Sequence, residues 1–178
     1  TSGPRFLVRF FAGSNLNKSL CDSPDAISQA YQEGVPMGAT LDAASLSNLS
    51  IFISAKADAS LENQYLEKIQ IIKGVLKGDE IHTTVIDVVD DQQTTLDESS
   101  CEIIGKGKKS ICAVWHDPNF EKQENAYYYA RVVANKSCRW SHKLCISNPD
   151  YCIDDSDFKT PKFIQERAWT SPIWLENS

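Results

Sequence analysis

Short apolar runs with two-residue alternation recur along the chain between clusters of Gly, Pro, Asn and Asp, and this pattern predicts a mainly β protein. Phe6-Leu-Val-Arg-Phe-Phe11, ending at Gly13, predicts a strand with both faces at least partly buried. Leu49 to Ala55 predicts a half-buried strand. Leu66 to Lys73 and Ile81 to Val89 surround Gly74 and Lys77-Gly-Asp79, as in an antiparallel hairpin with a several-residue loop. In Tyr127 to Val133, strand alternation puts Tyr127 and Tyr129 opposite Tyr128, which favours core packing over one continuous stacking platform. Gln165 to Trp174 predicts a closing strand interrupted near Pro172. One short helix is expected, starting near Ser23-Pro24-Asp25 and stopping at Gly34, with Ile27, Ala30 and Tyr31 as its packing face. No repeat or linker divides the chain, so residues 1–178 are expected to form a single β-rich domain, an antiparallel sheet or sandwich.

Cysteine usage adds covalent staples. Cys21, Cys101, Cys112, Cys138, Cys145 and Cys152 include no C-x-x-C pair, which favours disulfides over zinc and an oxidising location, secreted or periplasmic. If Lys106-Gly107 closes a hairpin between Cys101-Glu-Ile-Ile-Gly105 and Lys108-Lys-Ser-Ile-Cys112, then Cys101 faces Cys112, the pairing favoured here. Cys138, Cys145 and Cys152 recur every seven residues, but Pro149 argues against a helix, leaving local loop staples. Asn17, Asn48 and Asn135 begin Asn-x-Ser sequons, candidate glycosylation sites in a eukaryotic secretory setting. The opening Thr1-Ser-Gly-Pro-Arg5 is not a signal peptide; either a leader was removed or the chain is a piece of something longer.

Charge and motifs narrow the chemistry. With 18 Lys and Arg against 24 Asp and Glu, the net charge is -6, and no basic block exceeds Lys106 to Lys109, so nucleic acid is not an expected partner. No run of about 18 apolar residues occurs, so membrane insertion is not expected either. Asp154, Asp155 and Asp157 read as a solvated loop or a calcium site without the EF-hand spacing. His82, His116 and His142 are dispersed, with His116-Asp117 the best fragment of a metal motif, and there is no G-x-S-x-G elbow or phosphate loop. No cofactor is therefore expected in this chain. Thr1 offers a hydroxyl beside its own amine, as in N-terminal-threonine hydrolases, though a proteolytic cut explains it equally well.

Seven passages then occur in a telling order: Thr1-Ser-Gly-Pro-Arg5 with Val8-Arg-Phe-Phe11, Gly34-Val-Pro-Met-Gly38, Ile69 to Gly74, Ala113-Val-Trp-His-Asp-Pro-Asn-Phe120, Ala126 to Val132, Ser137-Cys-Arg-Trp-Ser141, and Ile164 to Trp174. Together they resemble the C-terminal part of the domain of unknown function 3604 family. That family resembles the PHP (polymerase and histidinol phosphatase) metallohydrolases, whose N-terminal part is a distorted β/α barrel carrying the metal ligands. The resemblance implies a divalent metal held in a missing N-terminal barrel, which would be this chain's partner within a processed precursor. It also marks Arg139, Trp140, Glu166 and Arg167 as site or interface residues, with a structural salt-bridge role favoured for the two arginines. Two departures stand out: Ala39-Thr-Leu-Asp42 where members often read Gly-Asp-Leu, and Asn119 where an Asp is usual.

The expected function is thus the accessory, catalytically silent C-terminal part of a secreted PHP-like metal-dependent hydrolase. The alternative is a stand-alone secreted ligand- or protein-binding module using Trp140, Trp169 or Trp174.

Overall fold

The computed structural model describes residues 1–152 and 161–177; the acidic cluster at Asp154, Asp155 and Asp157 lies outside them. In chain order the elements are β1 (Leu7–Gly13), α1 (Ala26–Glu33), β2 (Val35–Pro36), β3 (Thr40–Asp42), β4 (Ser50–Lys56), β5 (Leu66–Lys77) and β6 (Glu80–Asp90). Then come β7 (Thr94–Leu96), β8 (Ile103–Gly105), β9 (Ser110–His116), β10 (Ala126–Cys138), α2 (Trp140–Ser147), β11 (Phe163–Trp169) and β12 (Ile173–Glu176). One sheet has the order β2-β1-β4-β9, the other β3-β12-β10-β5-β6 with β11 also on β10, and β7 pairs β8 as a small ribbon. The protein is mainly β, with multiple antiparallel sheets, three disulfides and, among the described residues, two α-helices.

The two large sheets share one apolar core, in which Phe10, Ile51 and Ile53 of the first meet Ile69, Ile71 and Val132 of the second. The first sheet is buried on its other face too, because α1 and the 3-10 turn Lys18–Asp22 pack Ala30, Leu16 and Leu20 onto Phe11, Phe52 and Val114. This is why consecutive Phe10 and Phe11 are both fully buried, as the unbroken apolar run of β1 requires. The same layer changes the reading of β4: it is a central strand buried on both faces, not half-buried. The second sheet has no such covering among the described residues, and its outer face carries exposed Leu76, Ile81, Val85, Trp169 and Trp174.

The β5–β6 hairpin forms as expected but closes more tightly, with Lys77 opposite Glu80 and only Gly78-Asp79 between them. Gly78 takes φ +63, the left-handed conformation that a two-residue turn demands and glycine adopts without strain. The closing segment is one strand broken in two: β11 pairs the far half of β10 and β12 the near half. At the break around Pro172, the Ala130 N–H donates to Thr170 Oγ1 at 2.9 Å, so the ladder donor is answered by a side chain.

The disulfides correct the favoured pairing. Cys101 joins Cys138, and Cys112 joins Cys21; Cys101 and Cys112 are not partners. Lys106-Gly107 closes no hairpin: β8 turns back onto β7, while β9 runs on to pair with β4, where Cys112 lies opposite Ser54. Cys145 and Cys152 form the expected local staple, but Cys145 sits on a second helix, α2, which ends at Asn148 just before Pro149. Proline stopped this helix without preventing it. Three disulfides fit an extracellular, oxidising setting. Among the described residues no helix is long and apolar enough to cross a membrane.

Candidate functional site

The N-terminal segment and β11 meet in a hydrogen-bonded corner. Ser2 N–H donates to the Arg167 carbonyl at 2.8 Å, Arg167 N–H donates to Ser2 Oγ at 2.8 Å, and Ser2 Oγ donates to the Glu166 carboxylate. That carboxylate lies over Gly3, where a Cβ would sit 3.0 Å from Glu166 Oε1, so only glycine fits beneath it without displacement. Two residues on, the Arg5 N–H donates to Asp58. The Ser60 hydroxyl, then the Arg5 and Ser60 amides, hold the Asp58 carboxyl down at about 2.

Beside this corner opens a cavity of about 480 Å³ bordered by Pro4, Gln64, Ser137, Lys143 and Glu166, with Cys101 on its wall. Gln64 is buried, and its Oε1 has no hydrogen-bond partner among the described residues. An acceptor left in that state costs about 1–3 kcal/mol. Asn135 lies here as well, buried in β10, accepting from Tyr65 N–H and donating to the Asn63 and Lys136 carbonyls. A glycan cannot be attached to an amide packed in this way, so this sequon is removed from the candidates; Asn17 and Asn48 are both exposed.

Of the four residues marked by resemblance, Glu166 and Arg167 belong to this corner. Arg139 sits just before α2, its N–H bonded to the Lys162 carbonyl, and Trp140 projects with 72% of its surface exposed. Among the described residues neither arginine enters an ion pair, contrary to the salt-bridge role expected of them. Thr1 is exposed, and it is Ser2 that makes the contacts.

The structure also brings Cys101, Cys138 and His142 within 4.8 Å of one another. Both sulfurs are consumed in the Cys101–Cys138 disulfide, and a disulfide sulfur is not the thiolate that binds metal, so this donor set does not fit a metal ion. His116-Asp117, the best histidine fragment in the sequence, is split between two structural tasks. His116 Nδ1 is 2.8 Å from Ser50 Oγ across the β4–β9 pair. Asp117 Oδ2 instead accepts from Lys73 Nζ at 2.8 Å and from the Tyr128 hydroxyl at 2.7 Å. Burial, then the Asp117 carboxylate, pushes the Tyr128 hydroxyl well above its ordinary range, so it remains a donor. Asn119, the departure from the usual Asp, contributes only its backbone, its carbonyl accepting from Lys73 at 2.8 Å and its N–H donating to Asp117. The substitution therefore leaves both interactions intact.

Glu67 is a buried carboxylate with only neutral donors on it, Thr94 Oγ1 at 3.2 Å and Gln165 Nε2 at 3.3 Å. Burial raises its pKa. A raised folded-state value means that its favourable contribution is present below the unfolded pKa and is lost as pH rises through the folded one. Glu67→Gln is accordingly expected to stabilise the protein at pH 7 and to have little effect near pH 4. Urea titrations at the two values check this, and a larger gain at pH 4 would refute it.

Sequence reasoning missed the aromatic grouping on the second sheet. Tyr128 is buried, but Tyr127 and Tyr129 emerge on the outer face with nearly parallel rings 6.3 Å apart, and Trp174 meets Tyr127 at 5.5 Å. The register aligns Trp174 with Tyr127 and Trp169 with Arg131, so separate segments of the chain build one surface.

A family model described as "Protein of unknown function (DUF3604)" matches residues 1–177. Searches among curated proteins and among solved structures each return no match.

Proposed function

Because the chain belongs to the DUF3604 family, we propose that it is the accessory C-terminal β-rich part of a secreted, PHP-like metal-dependent hydrolase. The divalent metal and the catalytic groups belong to an N-terminal barrel outside this sequence. The observation that carries this reading is the Ser2–Glu166–Arg167 corner. Two passages that carried the resemblance, 1–5 and 164–174, lie far apart in sequence and meet there. They meet beside a cavity edged by the polar side chains of Ser137, Lys143 and Glu166, a surface on which a neighbouring structural unit would seat. The metal would supply hydrolytic chemistry in the barrel, and this chain's residues would brace and align that unit.

Native material from the natural source should contain a barrel-sized polypeptide, continuous with this chain or held to it after cleavage, and a stoichiometric divalent metal. Intact mass under native and denaturing conditions, with metal analysis, reads both. A lone metal-free chain of 19.9 kDa would overturn the proposal.

A further inference from the structure

At the opposite end of β10 from the Glu166 corner lies a second cavity, also of about 480 Å³. Its walls are Leu76, Ile81, Tyr127 and Trp174, all on the outer face of the second sheet. Gly74 makes the arrangement possible, since a Cβ there would lie 2.2 Å from Tyr127 Cζ; the phenol leans across β5 only because the opposing residue has no side chain. Tyr127 is thereby turned from a ladder residue into part of a binding surface, continued by Tyr129 and met by Trp174.

The polar groups are few and confined to one end. Asn125 uses its Oδ1 to accept from the Asn177 N–H at 2.8 Å, which leaves its amide nitrogen without a partner among the described residues. Glu176 borders the same end and makes no ion pair among the described residues. No Lys, Arg or His lines the cavity, so its one charge is a carboxylate and it repels phosphate- or carboxylate-bearing ligands. The Tyr127 and Trp174 rings touch each other, within the range of direct aromatic contact, and leave no gap between them for a quaternary ammonium group. What remains is an aromatic surface edged by the Asn125 amide as donor and the Glu176 carboxylate as acceptor, together with the Tyr127 hydroxyl and the Trp174 indole N–H.

We infer that this cleft binds a neutral carbohydrate, the apolar C–H face of a pyranose lying against the Trp174 ring, with Tyr127, inclined 60° to it, as the side wall, while its hydroxyls reach Glu176 and the Asn125 amide. A hydroxyl both donates and accepts, which matches that pair of groups. Cavity size, apolar walls and a few convergent polar groups are those of a ligand site. The inference stands apart from the proposed docking corner and holds whether or not a catalytic unit is attached.

The 178-residue chain is to be titrated with cellohexaose, xylohexaose, mannohexaose and chitohexaose, read by tryptophan fluorescence and calorimetry. At least one should bind, and Trp174→Ala and Tyr127→Ala should each weaken it about tenfold or more, as expected of central aromatic anchors. Tyr151→Ala, at an exposed aromatic outside the cleft, should leave affinity unchanged. Amide shift mapping on the unaltered protein gives a readout free of any folding defect, with perturbations expected around Leu76, Ile81, Tyr127 and Trp174. Failure of all four sugars to bind at millimolar concentration, shifts confined elsewhere, or choline binding in the cleft in their place would overturn the inference.

Discussion

Replacing Asp117 with alanine is expected to destabilise the protein by about 3–5 kcal/mol, the range for leaving one member of a buried ion pair alone. The Asp117 side chain is 2% exposed and that of Lys73 is 11% exposed, so removing the carboxylate leaves the ammonium with the Asn119 carbonyl as its remaining protein partner. The same change strips the Tyr128 hydroxyl of its acceptor, and Tyr128 is among the largest fully buried side chains. Three elements lose their junction together, because Asp117 follows β9 of the first sheet while Lys73 and Tyr128 belong to β5 and β10 of the second. At about 2–4 °C per kcal/mol for a chain of this size, the midpoint should fall by roughly 6–20 °C. A triple replacement, Lys73→Met with Asp117→Leu and Tyr128→Phe, removes the three polar side chains at once, leaves only the backbone of exposed Asn119 to solvent, and should recover most of the loss, since a buried pair contributes little beyond an apolar equivalent. Denaturant titration of the two variants decides the matter: equal instability in both would show that the space, not the charge, is what matters there.

Asp117 also illustrates what the sequence could and could not disclose. It stands in a legible motif, Trp115-His-Asp-Pro118, but its partners are 44 and 11 residues away, and only the packing of one sheet on the other brings them together. Local grammar was readable wherever burial follows from neighbours in the chain: the double burial of Phe10 and Phe11, the hairpin of β5 and β6, and the break near Pro172 all follow from short patterns. It failed where the partner is remote. Cys101 to Cys112 has the spacing of a hairpin, yet β9 finds a better partner in β4, whose register from Ser50 to Lys56 buries apolar side chains on both faces. Period-two alternation correctly set Tyr127 and Tyr129 apart from Tyr128. It could not disclose that Trp174 would lie opposite Tyr127, or that Gly74 would make room for its ring. Of the Ser2–Glu166–Arg167 corner, Glu166 and Arg167 were legible through resemblance, whereas nearby Gln64 carried no signal because an unanswered carbonyl is a property of the folded surroundings.

Removal of the Cys21–Cys112 disulfide by paired alanine substitution is expected to cost about 4–5 kcal/mol, from the chain entropy released when a link across 91 residues is opened. The Cys145–Cys152 link spans 7 residues and should cost about 2–3 kcal/mol on the same reasoning. Position adds to length. Cys21 lies within the 3-10 turn that covers the outer face of the first sheet, and the cluster beneath it consists of six buried residues, including Phe11, Leu20 and Phe52. Within that layer α1 has no side-chain cap at Asp25 and is held by the Phe11–Tyr31 edge contact and by β2 pairing with β1. Freed from Cys112, it should open ahead of the main core, so hydrogen exchange across residues 14–34 should accelerate under conditions where β5 and β10 remain protected. Urea titration of the two paired variants, with exchange followed by mass spectrometry, tests both parts. Equal losses from the long and short links would remove the entropic account, and uniform acceleration throughout the chain would show that the covering layer is no weaker than the sandwich it protects.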